Sequence, residues 1–200
     1  FMDVKERIIV TTQQEFRKFG ITAVTMDMIA HQCGISKRTL YEQFTDKATL
    51  ISEVINYSHA QQLQVMEQIF KQSSNCLEAL LKIYQRNVEF MNNTSPALTR
   101  DMQRFYPQLH KVRQDQAMAN IKSFADVISQ GIQQGVFRDD VDAMIVSTLF
   151  HSSMKAIHDN RLFADRDPKT IMHQGFINFL RGLATRRGLD IIDEFLQKLS

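Results

Sequence analysis

Three helix-start signals fall within residues 25–46, and they leave the intervening chain little choice of fold. Thr25, Ser36 and the Thr45–Asp46 pair each offer a side-chain oxygen to the amides of a following helix. Gly34 stops the first of these helices, and Ile35 plugs the turn behind it. The two helices so delimited are far too short to be stable alone, so each must bury an apolar side against something larger. Met26, Ile29, Ala30 and Cys33 form that side in the first helix. Leu40 and Phe44, four apart, form it in the second. Two short helices across a tight turn, packed on a longer one, make a helix-turn-helix, whose second helix suits the DNA major groove.

The flanks supply the longer partners. A first helix is expected from about Asp3 to Phe19, with Ile9, Thr12, Phe16 and Phe19 on one face and Gly20 as its stop. A fourth helix, from Lys47 to about Lys71, would be about 38 Å long. Beyond it the spacing of apolar residues stays helical. Leu77, Leu80, Leu81, Tyr84, Val88 and Met91 stripe a fifth helix, and Ser95–Pro96 opens a sixth with Leu98, Met102 and Phe105 inward. A seventh is expected from about Gln108 to Gln134. Asp139–Asp140 is read as the cap of an eighth, reaching about Phe163. Asp167–Pro168 starts a ninth, which Gly188 is expected to stop before Asp190 opens a last short one. With only 7 Gly and 3 Pro in 200 residues, long helices can run unbroken. The expected fold is all-α: a three-helix helix-turn-helix domain over 2–47 and a helical domain over 48–200. Phe1, ahead of Met2, reads as a remnant and is set aside.

Total charge is uninformative, at +2 for the whole chain, and residues 1–50 hold seven bases against six acids. The distribution says more. Lys37, Arg38, Thr39, Tyr41, Glu42 and Gln43 point outward from the second short helix, giving a local, partly basic, hydrogen-bonding face. A solvated helix face with two routine caps would explain Thr25 and Ser36. It would not explain an exposed Tyr41 beside a basic pair.

The run from Thr25 to Lys47 resembles the DNA-binding signature of tetracycline-repressor-type regulators. The shared elements are the opening Thr25, Ile29–Ala30, the Gly34–Ile35–Ser36 turn, Leu40–Tyr41 with Phe44, and Lys47. Glu42–Gln43 departs from the pattern, since many members carry an aromatic and a histidine there. The resemblance implies that Lys37, Arg38, Thr39, Tyr41 and Gln43 meet base edges and phosphates, while Thr25 and Lys47 grip flanking phosphates. An acid at Glu42 leaves the base preference open, although it can accept from cytosine N4.

The same resemblance implies a C-terminal ligand-sensing and dimerisation domain, in which the eighth and ninth helices pair with those of a second copy. Ser147, Ser152, Ser153 and Ala156 are small enough for close helix approach, and Phe176, Phe179 and Leu183 could fill the seam. An inducer pocket among helices five to eight would draw on Tyr84, Met91, Met102, Phe105, Tyr106, Phe124, Phe150, His151 and Met154. A plain core demands the same spacing of the same residues.

Other chemistry is poorly represented. There is no phosphate-binding glycine loop, nucleophile elbow or His-Glu-x-x-His, so no enzyme, cofactor or metal is expected. His151 and His158, seven apart, are too distant to share a metal unaided. Cys33 and Cys76 read as buried, reduced thiols, and Arg186–Arg187 as cations at a helix C-terminus. No apolar run approaches a membrane span, and a reducing cytoplasm fits. The expected partners are double-stranded operator DNA, a second copy of the chain and a small-molecule inducer. Two alternatives stay open: a DNA-binding or chromosome-organising protein without an inducer, and a helical interaction module with a degenerate helix-turn-helix.

Overall fold

A computed structural model describes residues 3–105, 110–159, 162–163 and 165–199, and among them there is no strand, only an isolated bridge between Phe137 and Ala184. The chain divides into two compact units, one of residues 1–67 with 92–110 and the other of 68–91 with 111–200. The first therefore extends beyond the expected 2–47 by much of the fourth helix and by the sixth.

The first unit holds α1 (Val4–Phe19), α2 (Met26–Gln32), α3 (Lys37–Gln43), most of α4 (Lys47–Lys71) and α6 (Pro96–Phe105). The three caps act as the sequence requires. Thr25 Oγ1 accepts from the Met28 amide at 3.2 Å, Ser36 Oγ from Thr39 at 3.0 Å, and Asp46 Oδ1 from Thr49 at 2.7 Å. Ile8, Phe16, Ile29, Leu40, Phe44 and Leu50 close a core against which Leu98 and Met102 of α6 also pack. Phe19 is half exposed and lies outside that core, because it is the last residue of α1, where the chain turns away.

The second unit holds α5 (Cys76–Asn92), α7 (His110–Gln133), α8 (Ala143–Asp159), α9 (Pro168–Met172), α10 (Asn178–Leu183) and α11 (Arg186–Gln197). Its core includes Leu77, Leu81, Ile128, Phe137, Ile177, Leu180 and Ile192. Asp167 caps α9, accepting from Thr170 at 3.2 Å, with Pro168 at the first helical position as expected. Between α9 and α10, residues His173–Ile177 form a π-helical turn, an insertion that strict 3.6-residue spacing does not reveal.

Two boundaries differ from expectation. Asp142 caps α8 through Ile145 at 2.9 Å, rather than Asp139–Asp140. Gly188 does not stop a helix. It lies inside α11, whose cap is Thr185, bonded to the Gly188 amide at 3.2 Å. A Cβ on Gly188 would lie 2.2 Å from the Val136 carbonyl oxygen, so glycine is there for close approach, not termination. Arg186 and Arg187 accordingly open α11 instead of closing a helix. Arg187 still serves a helix C-terminus, that of α7, by donating to the Gln134 carbonyl at 3.2 Å.

Candidate nucleic-acid interface

The helix α3 stands on Leu40 and Phe44, exposed by 0% and 1%, which seat it on the first unit's core and turn its other side chains outward. Tyr41 is 43% exposed, and Gln43 is exposed beside it. Lys37 reaches back to Asp27 of α2, its Nζ 2.7 Å from Oδ1, and this carboxylate raises the lysine's pKa. Arg38 donates from Nε to Glu42 Oε1 at 3.0 Å along α3 itself. Thr39 is half-buried, its hydroxyl 2.9 Å from that of Ser36. Thr25 is exposed at the start of α2. The polar face is thus assembled as the sequence implies, but each of its cations already has a carboxylate.

Lys47, expected to grip a flanking phosphate, turns to the backbone of the first unit in this structure. Its ammonium donates to the Ile21 carbonyl at 2.7 Å and lies 3.4 Å from that of Thr22. Burial pulls its pKa below the usual lysine value, and the nearby Asp101 charge opposes that shift. Asp101 of α6 in turn accepts from the Thr22 amide at 2.7 Å and from the Thr22 hydroxyl at 2.8 Å. Burial acting alone would raise the Asp101 pKa. The hydrogen bonds from Thr22 outweigh it and hold the carboxyl below its ordinary value. Gly20, at φ +82°, permits this approach: a Cβ there would lie 2.9 Å from both Ala97 Cβ and Asp101 Oδ2. Asp27, Thr22 and Asp101 were not singled out in the sequence, and no local spacing marks them.

The expected pocket residues fall in both units. Met102 packs on the core of the first unit. Tyr106 and the side chain of Phe105 lie outside the described residues, as does the side chain of His158, which was weighed with His151 for a metal. Met91 and His151 are half-buried. Tyr84 is buried with its hydroxyl 2.8 Å from His173 Nδ1 and its ring stacked on Phe176 at 6.0 Å. Phe124 and Phe150 join Phe176 and Phe179 in the same aromatic cluster, with the rings of Phe150 and Phe179 only 4.5 Å apart. Met154 lies alongside the π-turn, its Cε 2.9 Å from where a Gly175 Cβ would sit. A concavity of about 320 Å³ opens elsewhere in this unit, between Phe70, Ser73, Cys76, Val127, Gln130 and Gln134.

Of the expected seam residues, Phe176 and Leu183 are buried in the unit's own core, which removes their side chains from any outer face. Phe179 contributes to the aromatic cluster, Ala156 is half-buried and Ser152 is exposed. Ser147 is fully buried, and among the described residues its hydroxyl has no hydrogen-bond partner. The large apolar side chains that α8 does present to solvent are Met144, Ile145 and Leu149, at 45%, 58% and 61% exposure.

The family model of the bacterial regulatory proteins of the tetR family matches residues 8–54, the stretch that builds α1 to α3 and the start of α4. Residues 8–54 thus carry the DNA-binding region of the tetR family. Proteins of this family are transcriptional regulators, not enzymes. The chain is 38% identical over 65 residues to the helix-turn-helix-type transcriptional regulator YerO of Bacillus subtilis, a stretch covering 32% of this chain and 22% of that one. It is 26% identical over 135 residues to the helix-turn-helix-type transcriptional repressor KstR2 of Mycobacterium tuberculosis, covering 66% of this chain and 68% of that one. A transcriptional regulator from Cytophaga hutchinsonii has the same fold, with a TM-score of 0.70 at 21% identity, over 89% of this chain and 97% of that one. Among the described residues, no helix is long and apolar enough to cross a membrane.

Proposed function

We propose that this chain is a tetR-family transcriptional repressor that binds a palindromic operator as a homodimer, with α3 of each copy in a major groove. The carrying observation is the exposed face of α3, bearing Lys37, Arg38, Tyr41 and Gln43 over the fully buried Leu40. An exposed tyrosine and two cations on a rigidly seated short helix suit base edges and flanking phosphates. Repression is favoured by the similarity to KstR2. Dimer formation is favoured by Ile145 and Leu149, four apart and well exposed on α8. Two copies would set their recognition helices about 34–36 Å apart on successive turns of the duplex.

A small-molecule effector is part of the same proposal. The aromatic cluster of Tyr84, Phe124, Phe150, Phe176 and Phe179 favours an apolar ligand, with the Tyr84–His173 pair to orient a polar atom on it. Such a ligand lowers operator affinity by its preference for the DNA-free arrangement.

The test is selection from a random duplex pool at fixed salt, with sequencing of the bound fraction. A palindrome recovered by the parent chain and lost by Tyr41→Ala supports the reading. Weak, sequence-independent binding that Tyr41→Ala leaves unchanged overturns it.

A further inference from the structure

Glu42 is the acid of α3, and neither family resemblance nor folding accounts for it. It is well exposed, so the core does not require it. As the partner of Arg38 it stands C-terminal to the cation, the weaker order for an i, i+4 pair on a helix. Exposed pairs of this kind contribute little to stability in any case. With side-chain exposures of 89% for Arg38 and 56% for Glu42, the pair belongs to the surface that would face DNA.

Its geometry has a consequence there. The Glu42 carboxylate takes the Nε hydrogen of Arg38 at 3.0 Å, leaving the two terminal amino groups of the guanidinium to bond elsewhere. Those two groups form a fork that matches the O6 and N7 acceptors of guanine in the major groove. A free arginine on the same helix could equally swing to a phosphate, a contact that adds affinity without sequence information. A carboxylate bonded to Nε restrains that swing, and its own charge repels phosphate oxygens. The other cation of α3 carries the same restraint, since Asp27 holds Lys37 at 2.7 Å. The basic face is therefore matched acid for base, the arrangement expected where discrimination between sequences matters more than bulk attraction to DNA.

We infer that Glu42 is a specificity-determining residue, which positions the Arg38 fork on a guanine edge and withholds it from the phosphate backbone. The inference rests on the proposed operator-binding role of α3.

The experiment compares the parent chain with Glu42→Gln, Arg38→Ala and the double variant in duplex selection, and measures binding to one unrelated duplex across a salt series. Both side chains are exposed, so all variants fold; unchanged thermal melts verify this. The parent chain is expected to select one guanine per half-site that Arg38→Ala no longer selects. Glu42→Gln should weaken preference at that same position by about tenfold, within the range of one bidentate base contact. It should also tighten binding to the unrelated duplex and steepen the logarithmic salt slope by about one per recognition helix. In the Arg38→Ala background, Glu42→Gln should have no further effect on base preference. The inference is overturned if Glu42→Gln keeps the parent's guanine preference and salt slope. It is overturned equally if Glu42→Gln loses preference at a position that Arg38→Ala leaves intact, because Glu42 then reads a base directly. A parent chain that selects no motif refutes the proposed function instead, a result distinct from both.

Discussion

The Asp101 carboxylate holds Thr22 by two bonds, one to its amide at 2.7 Å and one to its hydroxyl at 2.8 Å. From the other side, Lys47 holds the Ile21 carbonyl at 2.7 Å. The turn between α1 and α2 is thus pinned by an acid from α6 and a base from α4. Asp101→Ala removes a charged acceptor from two donors that remain near solvent, and should cost about 1 kcal/mol of stability. Because no phosphate contact is lost, DNA binding should weaken with its salt slope unchanged. Chemical denaturation and a salt series on the same variant check both.

The acid side of the stability curve follows from the same pair. Asp101 has a lowered pKa in the folded chain, so protons bind the unfolded chain more readily. Its contribution is fully present above the ordinary carboxylate range, near about pH 4, and is lost as pH falls through the lowered value. The stability difference between the parent chain and Asp101→Ala should therefore be constant near neutrality and shrink on acidification. Denaturation at a series of pH values measures it, and a difference that grew towards low pH would contradict the assignment.

Much of this architecture is written locally. The caps at Thr25, Ser36, Asp46 and Asp167 are legible because a cap needs only a side-chain oxygen and an amide two or three residues on. The outward face of α3 is legible because Leu40 and Phe44 fix which side is in. The bonds of Lys47 to the Ile21 and Thr22 carbonyls are not legible, because those carbonyls are distant in sequence and nothing at Lys47 announces them. Thr22 and Asp101 are 79 residues apart, a pairing made only when α6 packs against the other helices of the first unit. Phe176 and Leu183 share one helical spacing for a core or a seam, and only burial separates the two.

Gly188 shows how a local signal misleads. Glycine near the end of an apolar stripe reads as a stop, yet here it sits in the first turn of α11, against the Val136 carbonyl oxygen. Gly188→Ala places a Cβ 2.2 Å from that oxygen, a backbone atom that cannot rotate away. Helix propensity alone would favour alanine by about 1 kcal/mol. The clash should outweigh it and leave a net loss of about 1–3 kcal/mol, the usual cost of overpacking. Urea denaturation decides between the signs, and a more stable variant would mean that α11 can shift away at little cost.

Cys76 offers a test of burial. Its thiol is 2% exposed, and burial pushes its pKa to about 11, so the reactive thiolate is scarce at neutral pH. Cys33 is buried as well, with its pKa raised for the same reason. The folded chain at pH 7.5 should react with a thiol reagent far more slowly than the urea-unfolded chain, which should yield two equivalents. Rapid labelling of the folded chain would show that one of these sites opens readily.

The proposed homodimer places its own demand on α8. Ile145 and Leu149 are 58% and 61% exposed, one turn apart, and too large to be left wet without consequence. Because they lie outside the core, replacing both by aspartate should leave the helix content and melting of each copy nearly intact. If they form the seam, four buried carboxylates without partners would face one another across it, a burden that no well-packed interface of this size tolerates. Sedimentation should then report a dimer for the parent chain and a monomer for the Ile145→Asp, Leu149→Asp variant. The monomer can occupy only one half-site at a time, so its affinity for the full palindrome should fall to that for a single half-site. A variant that still sediments as a dimer would move the seam off this face of α8 while leaving the reading of α3 untouched.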